Sequence, residues 1–518
     1  MTKAFALLDW AVIASYFIAV LVIGSLASGR QKGDRSFFLG NRNMPTWAVA
    51  ISILASSLSA VTFLGAPQEA FKGDLSYLIL NVGGIIGAFV IAYFLIPIFY
   101  STNTLTIYGY LEGRFGVRVR ILAGISFLFG RLFASGARLF AAALGASLLI
   151  HGGSYPNFEE LSLIILVLGI VGTAYTLFGG IRAVIWTDVL QFSIVLATIV
   201  ISIGFLLHEI PLSFSEIFSR LASSSGIHEG TSKLTVIHNE WNLSSPYTLL
   251  TGTFAIVFLN IASYGVDHDL VQRMLTCKSA WKGGFSLVSS IFISVFVVAL
   301  FMSIGLLLYL FNQPDVMGDK AAQFVHSELV YPQFLISYLP AGLSGLAIAG
   351  LFAVCMGSLD SAINAMASSA VADVWRPIKN EFFGSKEAEM QESLKSGRVG
   401  VAIAGGALML FAILAAFTYD PKNSTLLGFA LGVMTYAYSG LLGVFLSGIF
   451  TKRGNTKSAI LALIVGPIVV LLLQPAFLPK WLDIQIAWPW WMVFGTTVSF
   501  ITCTTGSPVA QESKELFA

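Results

Sequence analysis

Long apolar runs separated by short polar segments make up most of the chain. A helix of roughly 20 apolar residues spans the hydrocarbon core of a bilayer. About thirteen runs reach that length, and they predict spans at 8–27, 46–64, 75–100, 121–150, 159–178, 183–207, 246–268, 282–312, 337–368, 396–417, 424–451, 456–476 and 488–505. The pattern predicts an all-α polytopic membrane protein.

Polar residues interrupt two of these runs. The first, 46–64, carries four hydroxyl side chains within residues 55–62, and the second, 246–268, carries Asn260 and Ser263. Small polar residues can pack one membrane helix against another. Alternatively, they mark discontinuous helices whose freed carbonyls and hydroxyls bind an ion or a solute.

Two arginines lie inside the predicted span 121–150. Arg131 and Arg138 are seven residues apart, so both lie on one face of a helix. An ionisable side chain at membrane depth is a functional candidate. Each arginine binds solute or pairs with a buried aspartate, and Arg138 is also close enough to the span's end to reach the interface.

Buried acids are predicted in two further spans. Asp188 shares a helix face with Gln191 and needs a cation, either an arginine or Na⁺. Asp360 lies among small residues, a composition that provides hard oxygen ligands and close backbone approach. The small residues alone would indicate helix packing. The cluster Asp267–Asp269, at the end of the predicted span 246–268, is interpreted as a solvated helix end, with His268 at the surface.

Composition and charge narrow the possible classes of protein. The chain is 56% hydrophobic and 11% charged, against about 25% charge in soluble domains, and its net charge of +2 gives no reason to expect nucleic acid. No zinc-protease, phosphate-loop or nucleophile-elbow motif occurs, so no enzyme is predicted. Twenty lysines and arginines fall on one side of the predicted spans and seven on the other. This bias predicts an outside N-terminus and a cytoplasmic C-terminus in the plasma (inner) membrane.

Four motifs resemble the sodium/solute symporter family, which includes sodium/glucose, proline, iodide, pantothenate and sialic-acid cotransporters. They are Gly179-Gly180-Ile181 running into Val184-Ile185-Trp186-Thr187-Asp188-Val189-x-Gln191, then Asp269-x-Val271-Gln272-Arg273, Leu111-Glu112-x-Arg114-Phe115 and Ile363-Asn364-Ala365-Met366-Ala367. The resemblance covers roughly residues 8–470. The segment 55–62 is most similar to the bacterial sialic-acid branch.

The resemblance implies a leucine-transporter-type fold with two inverted five-helix repeats. The expected divisions are a peripheral helix and loop (1–45), the first repeat (46–207), an extracellular loop (208–245), the second repeat (246–451) and two C-terminal helices with a tail (452–518). The two interrupted runs would each begin a repeat as paired broken helices.

The resemblance also implies one or two Na⁺ sites. The main site would use the carbonyls of Ala55, Leu58 and Val354 and the hydroxyl of Ser358, whereas Gly357 lacks the family's second hydroxyl. A second site would use Asp188, Asp360 and Ser361. An acid at 360 departs from the family's hydroxyl. It would bind Na⁺, carry a proton or pair with Arg131 or Arg138.

The implied solute positions are Ser57, Ser59, Thr62, Tyr77, Asn81, Asn260 and Ser263. The sialic-acid branch holds a carboxylate with an arginine that aligns with Ala134, one turn from Arg131 and from Arg138. The expected function is therefore Na⁺-coupled symport of a hydroxylated solute, bearing a carboxylate, into the cytoplasm by alternating access. Neutral sugars or polyols, proton coupling and a membrane solute sensor are the alternatives. The expected partners are Na⁺, the solute and the bilayer, with no obligate protein partner.

Overall fold

The computed structural model is built of α-helices. It describes residues 6–28, 33–58, 60–102, 104–150, 157–226, 230–239, 241–322, 324, 330–383, 391–418, 426–474, 477 and 486–507. The first helices are α1 (Leu7–Ser28), α2 (Asp34–Leu39), α3 (Thr46–Ser57), α4 (Ala60–Lys72), α5 (Leu80–Val90), α6 (Ile96–Ser101), α7 (Tyr108–Phe115), α8 (Val117–Ile150) and α9 (Phe158–Glu209).

The remaining helices are α10 (Phe214–Ser223), α11 (Ile256–Ile261), α12 (His268–Met274), α13 (Ala280–Phe311), α14 (Pro314–Met317), α15 (Val330–Ser337), α16 (Leu343–Ser369), α17 (Arg376–Phe383), α18 (Gln391–Thr418), α19 (Leu426–Phe450), α20 (Thr456–Leu472) and α21 (Trp488–Thr504). π-Helical turns extend several of them, at Ile91–Leu95, Thr251–Ala255, Ala262–Val266 and Ala370–Trp375.

Many helices are long and apolar enough to cross a bilayer. Seven of the described helices meet this test, or nine if each of two bent helix pairs forms one span. Two shorter apolar helices, Thr435–Phe450 and Thr456–Leu472, follow near the end of the chain. The all-α membrane class is thus confirmed, whereas the number thirteen stays a prediction.

Both interrupted runs are broken helices. The α3 helix ends at Ser57 because Leu58 adopts an extended backbone, and the chain continues into α4 at a 64° bend. A second 64° bend separates Thr251–Val266 from α12, with Asp267 extended between them. The first break falls within the predicted segment, and the second lies a few residues beyond Asn260 and Ser263.

A glycine kink divides α9 into two helical parts, which correspond to the two spans Phe158–Leu177 and Gly179–Glu209. Gly180 has φ +55°, a conformation that favours glycine, and a Cβ there would lie 2.4 Å from the Phe37 carbonyl oxygen. The kink therefore permits α2 to pack directly against the α9 backbone.

The α16 helix lies at the centre of the bundle, where nearly every one of its residues is buried. It packs against α1, α3, α8, α9 and α18. Its first turn is capped from another helix, since Asp9 accepts hydrogen bonds from the backbone N–H groups of Gly342 (2.7 Å) and Gly345 (2.8 Å). A carboxylate is stabilised at a helix N-terminus, so α1 is fixed to the central helix.

Lys233, in the connection between α10 and α11, caps the C-terminal end of α4. Its ammonium donates to the carbonyls of Ala70 (3.3 Å), Phe71 (2.8 Å) and Gly73 (2.8 Å), and lies 4.2 Å from the centre of the Tyr309 ring. Burial lowers the pKa of Lys233 to about 8, so the group is still largely charged at neutral pH. The connection predicted as a loop is thereby packed onto the bundle, and it also contains α10.

A buried ion-pair network joins the second helix break to α8. Arg131 contacts Asp267 at 2.5 Å and Asp269 at 2.8 Å. Tyr438 of α19 donates at 2.6 Å to Asp267 Oδ2, the same oxygen that Arg131 contacts at 2.5 Å. All of these side chains are almost fully buried, so they neutralise each other out of contact with water.

The same network continues to α9 through Arg273. This arginine contacts Asp269 at 2.8 Å, four residues away on α12, and Asp188 at 3.1 Å. Ser52 of α3 donates to Asp188 at 2.5 Å and accepts from Arg273 at 2.8 Å. Asp269 therefore bridges two arginines, and Arg273 supplies a cation to Asp188 through Oδ2, whereas Asp188 Oδ1 has no hydrogen-bond partner.

Two interpretations of the 267–269 cluster are wrong. The cluster is buried rather than solvated, and His268 has no exposed surface and forms a 2.9 Å hydrogen bond with Ser368. The physical reason is the break itself, which places this helix start inside the bundle, where the arginines of α8 and α12 compensate the acids.

We expect Asp269→Asn to destabilise the protein strongly. The change leaves Arg131 and Arg273 with one carboxylate each, and breaking a buried ion pair costs about 3–5 kcal/mol. The apparent melting temperature of the purified protein in detergent should fall clearly. Asp319→Asn, at an exposed position, is the matched control. Equal melting temperatures for the two variants would show that the network does not hold these helices together.

Candidate solute and cation site

A cavity of about 280 Å³ lies between the two helix breaks. Most of the predicted solute positions line it, together with the residues at both breaks: Ser57, Leu58, Thr62, Tyr77, Asn81, Arg131, Arg138, Asn260, Ser263 and Asp267. Ser59 lies outside the described residues. The predicted solute positions, which are spread over more than 200 residues of sequence, therefore line one cavity.

The polar side chains of the cavity are held by their own helices. Ser57 donates to the carbonyl of Leu54 at 2.8 Å, Asn81 to that of Leu78 at 3.1 Å, and Asn260 to that of Ile256 at 3.0 Å. Each side chain is thus fixed by a hydrogen bond to its own helix. Such fixed polar groups orient a ligand in an otherwise apolar pocket.

The two arginines of α8 differ in their surroundings. Arg131 is engaged with Asp267 and Asp269, and a solute carboxylate would have to displace one of them. Arg138 lies two turns along the same helix and lines the same cavity. It is only partly buried and therefore keeps access to the cavity space.

The cavity also contains polar residues that the sequence did not suggest. Glu69 of α4 lines it, as do Tyr247 and Tyr264. The rings of Tyr247 and Tyr77 pack edge to face at 5.6 Å. Glu69 falls between the predicted spans 46–64 and 75–100, so the hydrophobic pattern did not place it in the bundle.

The predicted cation ligands converge from three helices. An ideal Cβ on Gly357 of α16 would lie 3.3 Å from Asp188 Oδ1 of α9 and 3.4 Å from the Ala55 carbonyl oxygen of α3. Leu58 lies at the end of α3, and Val354 is buried one turn before Ser358 on α16. The Ala55 carbonyl and Asp188 therefore lie close to α16 at Gly357, and the full ligand set stays a prediction.

Two hydroxyl groups of α16 donate hydrogen bonds to neighbouring groups. Ser358 donates to the carbonyl of Cys355 at 2.9 Å, which leaves its oxygen lone pairs available. Ser361 donates to Asp269 at 3.1 Å and so belongs to the ion-pair network as well. A direct polar link thus connects the cation region to the arginines beside the solute cavity.

Asp360 pairs with a tyrosine in the described structure. Tyr175 donates to Asp360 Oδ2, whereas Oδ1 has no hydrogen-bond partner. The arginines proposed for it are both elsewhere, since Arg131 bonds Asp267 and Asp269, and Arg138 lines the solute cavity. The Arg pairing considered for Asp360 is therefore not what the structure contains.

Sequence reasoning missed the roles of several network residues. Arg273 and Asp269 were noted only as part of a motif, although their spacing of four residues predicts contact on a helix face. Gln191 was noted only as sharing a face with Asp188. It is buried, and its side-chain oxygen and nitrogen have no hydrogen-bond partners, which a sequence cannot reveal.

A family model described as the sodium:solute symporter family matches residues 37–466. The sodium/sialic acid symporter SiaT of Proteus mirabilis is 29% identical over 90% of this chain and 89% of its own. The sodium/sialic acid symporter NanT of Aliivibrio fischeri is 27% identical over 92% and 89%. Human sodium-coupled monocarboxylate transporter 1 is 28% identical over 89% and 72%.

Two solved structures share the fold. A Na⁺-coupled sialic acid symporter, in a substrate-bound outward-open state, aligns with a TM-score of 0.81 and 24% identity over 98% of this chain and all of its own. Mhp1, a nucleobase-cation-symport-1 family transporter in a closed conformation, aligns with a TM-score of 0.51 and 14% identity over 92% of this chain and 97% of its own. These alignments confirm the leucine-transporter-type architecture, and the inverted repeats stay a prediction.

The matched model covers most of the chain, so the predicted resemblance is confirmed. The expectations of an integral membrane transporter, of sodium coupling and of no enzyme are confirmed at the level of the family and its members. The chain belongs to the sodium:solute symporter family.

Proposed function

We propose that this protein imports a carboxylate-bearing sugar acid with Na⁺. The observation that carries this proposal is the single cavity at the two helix breaks, lined by amides, hydroxyls and Arg138. Hydroxyl and amide groups suit the hydroxyls of a sugar. Arg138 supplies the charge that a carboxylate needs, because guanidinium groups bind carboxylates in a bidentate manner.

The solute class is supported by the relatives and by the charges around the cavity. Two of the relatives are sialic acid symporters by name, and another is a monocarboxylate transporter. Of the two candidate arginines, we favour Arg138 as the anion ligand, because it is only partly buried and lines the cavity, whereas Arg131 is 2% exposed and faces the carboxylates of Asp267 and Asp269. Glu69, in the same cavity, would accept from solute hydroxyls.

A neutral sugar is the second candidate. Glu69 and the amides could bind it without an arginine, and the sodium/glucose cotransporter of Vibrio parahaemolyticus is 26% identical over 89% of this chain. A partly buried arginine in the wall of the cavity favours the acid.

For Na⁺ we propose the ligands implied by the resemblance. The carbonyls of Ala55, Leu58 and Val354 and the hydroxyl of Ser358 form the main site, and Asp188, Asp360 and Ser361 form the second. The proposal is supported by the end of α3 at Leu58, which frees carbonyls beside α16. Oxygen ligands of this kind suit a hard cation.

The positions of the proposed Na⁺ ligands and of the solute cavity explain how Na⁺ binding would be coupled to solute transport. A cation held between α3 and α16 favours the conformation in which these helices are close, and the solute cavity borders the same helix break. Each Na⁺ that moves down a potential of 100 mV releases about 2.3 kcal/mol. We propose the outward-facing form as the one that Na⁺ stabilises, and a cytoplasmic C-terminus, so that both ligands leave into the cytoplasm.

The arginine assignment has a direct test in proteoliposomes that contain the purified protein. We expect Arg138→Gln to reduce Na⁺-gradient-driven uptake of sialic acid by at least tenfold, because one bidentate charged pair is worth on the order of 1.5–3 kcal/mol. The exposed Arg35→Gln should transport normally. Normal sialic acid uptake by Arg138→Gln would contradict the anion assignment. Uptake of neutral sugars alone by the unaltered protein would support the second candidate.

The main sodium site is tested by Ser358→Ala. The variant loses a ligand oxygen with little change in volume, so half-maximal uptake should require a several-fold higher Na⁺ concentration. Ser193→Ala, at an exposed position of α9, is the matched control. An unchanged Na⁺ dependence in Ser358→Ala would remove Ser358 from the site.

A further inference from the structure

A groove of about 480 Å³ lies on the side of the bundle, away from the solute cavity, between α8, α16 and α18. Buried residues such as Met366 and Ala404 form its floor. Its rim is formed by Phe129, Trp375 and Ile403, which are 61%, 58% and 66% exposed. We call it the lateral groove. Its volume falls within the range of small-molecule sites, roughly 300–1,000 Å³.

The sequences of two helices form the lateral groove. Gly400, Ala404 and Ala407 follow each other at spacings of four and three residues, so they lie on one face of α18. Their short side chains leave space in front of this face. On the facing wall, Ala370 and Trp375 lie five residues apart in a π-helical turn, where such residues align.

The lateral groove is apolar inside and polar at one end. Of the thirteen described residues that line it, only Ser396 and Trp375 carry a side-chain oxygen or nitrogen. Ser396 lies at the start of the apolar span Lys395–Phe417, and Trp375 lies near the end of the preceding span Leu343–Asn380. Both are therefore at the same membrane interface, where tryptophan is enriched. The remaining lining residues favour a hydrocarbon chain over a polar ligand.

The length of the lateral groove fits one leaflet of a bilayer. Its lining on α18 runs from Ser396 to Ala407, a rise of roughly 16 Å along the helix axis. This is about half of the hydrocarbon core of a bilayer, which is roughly 30 Å thick. The groove thus extends from the interface to the middle of the membrane, which is the depth that one acyl chain of a lipid occupies.

Basic side chains lie at the interface end of the lateral groove. Lys395 lies one turn before Val399 on the groove face of α18, Arg398 lies beside Val399, and both basic residues are exposed. The nearby acid on the other wall, Asp373, is compensated by Arg120 at 2.8 Å. Basic residues at a membrane interface attract anionic lipid headgroups. The position of these charges therefore complements a lipid whose acyl chain fills the groove.

We propose that the lateral groove binds an anionic phospholipid. One acyl chain lies between α8, α16 and α18, and the phosphate-bearing headgroup contacts Lys395 and Arg398. The bound chain contacts three helices at once, so it stabilises their packing. The site is separate from the solute cavity and from the proposed Na⁺ ligands.

The test compares two lipids that differ only in their headgroup. Delipidated full-length protein in detergent is titrated with dioleoyl phosphatidylglycerol or with dioleoyl phosphatidylcholine. The melting temperature and the number of lipids retained in native mass spectrometry are followed. We expect saturable stabilisation by the anionic lipid at a concentration at least tenfold lower than by the zwitterionic lipid. Equal half-saturation by the two lipids would overturn the anionic class.

The headgroup contact is tested by Lys395→Gln combined with Arg398→Gln. This double variant should require as much of the anionic lipid as of the zwitterionic one, because the charges that distinguish them are gone. Lys452→Gln combined with Arg453→Gln, at exposed positions between α19 and α20, is the matched control and should keep the preference. An unchanged preference in the first double variant would overturn the headgroup site.

The acyl-chain contact is tested by Ala407→Phe, which fills the inner end of the lateral groove. The variant should weaken the binding of both lipids several-fold, since a phenyl ring takes the place of the chain. Ala14→Phe, at an exposed position of α1, is the matched control. If Ala407→Phe does not fold, Ala407→Leu provides a smaller filling of the same space.

Two further outcomes would overturn the proposal. Lipid binding as in the unaltered protein by the folded Ala407 variants would show that the chain lies elsewhere. Stabilisation by oleate at lower concentrations than by dioleoyl phosphatidylglycerol would show that a free fatty acid occupies the groove. Neither Na⁺ nor a transported solute takes part in these measurements, so their results are independent of the proposed transport.

Discussion

The buried charges around Asp269 constrain much of the interior. Two arginines share this one carboxylate, and through it α8, α9 and α12 are joined in a region without water. Removing a partner from such a network exposes an uncompensated charge, so the helices must keep their relative positions or move together. Because the network runs from Asp188 to the wall of the solute cavity, both candidate sites depend on the same arrangement.

The broken helices could be predicted from sequence because their signal is local. Four hydroxyls within one apolar run conflict with a helix that only faces lipid, and the chain indeed breaks at Leu58. The predicted cavity residues also meet, since residues at both breaks line one cavity. The cation ligands were identified for the same reason, although their positions came from the family resemblance and not from spacing.

The partners of charged residues could not be predicted, because they depend on distant segments. Arg131 and Asp267 are 136 residues apart, and nothing near either residue indicates the other. The same limit made His268 look like a surface residue, since a cluster of acids beside a histidine is typical of a solvated helix end. Gly357 looks like a lost ligand in the sequence, whereas the structure shows that Gln191 and Asp188 lie so close to it that even a Cβ would be in tight contact.

The Lys233 cap has a consequence for how the α4 half-helix moves. Three carbonyls at the end of this helix are satisfied by one side chain from the connection before α11. Any rotation of α4 must therefore carry that connection with it or leave the carbonyls without a donor. One buried ammonium group therefore ties the position of the polar connection to the position of the α4 half-helix.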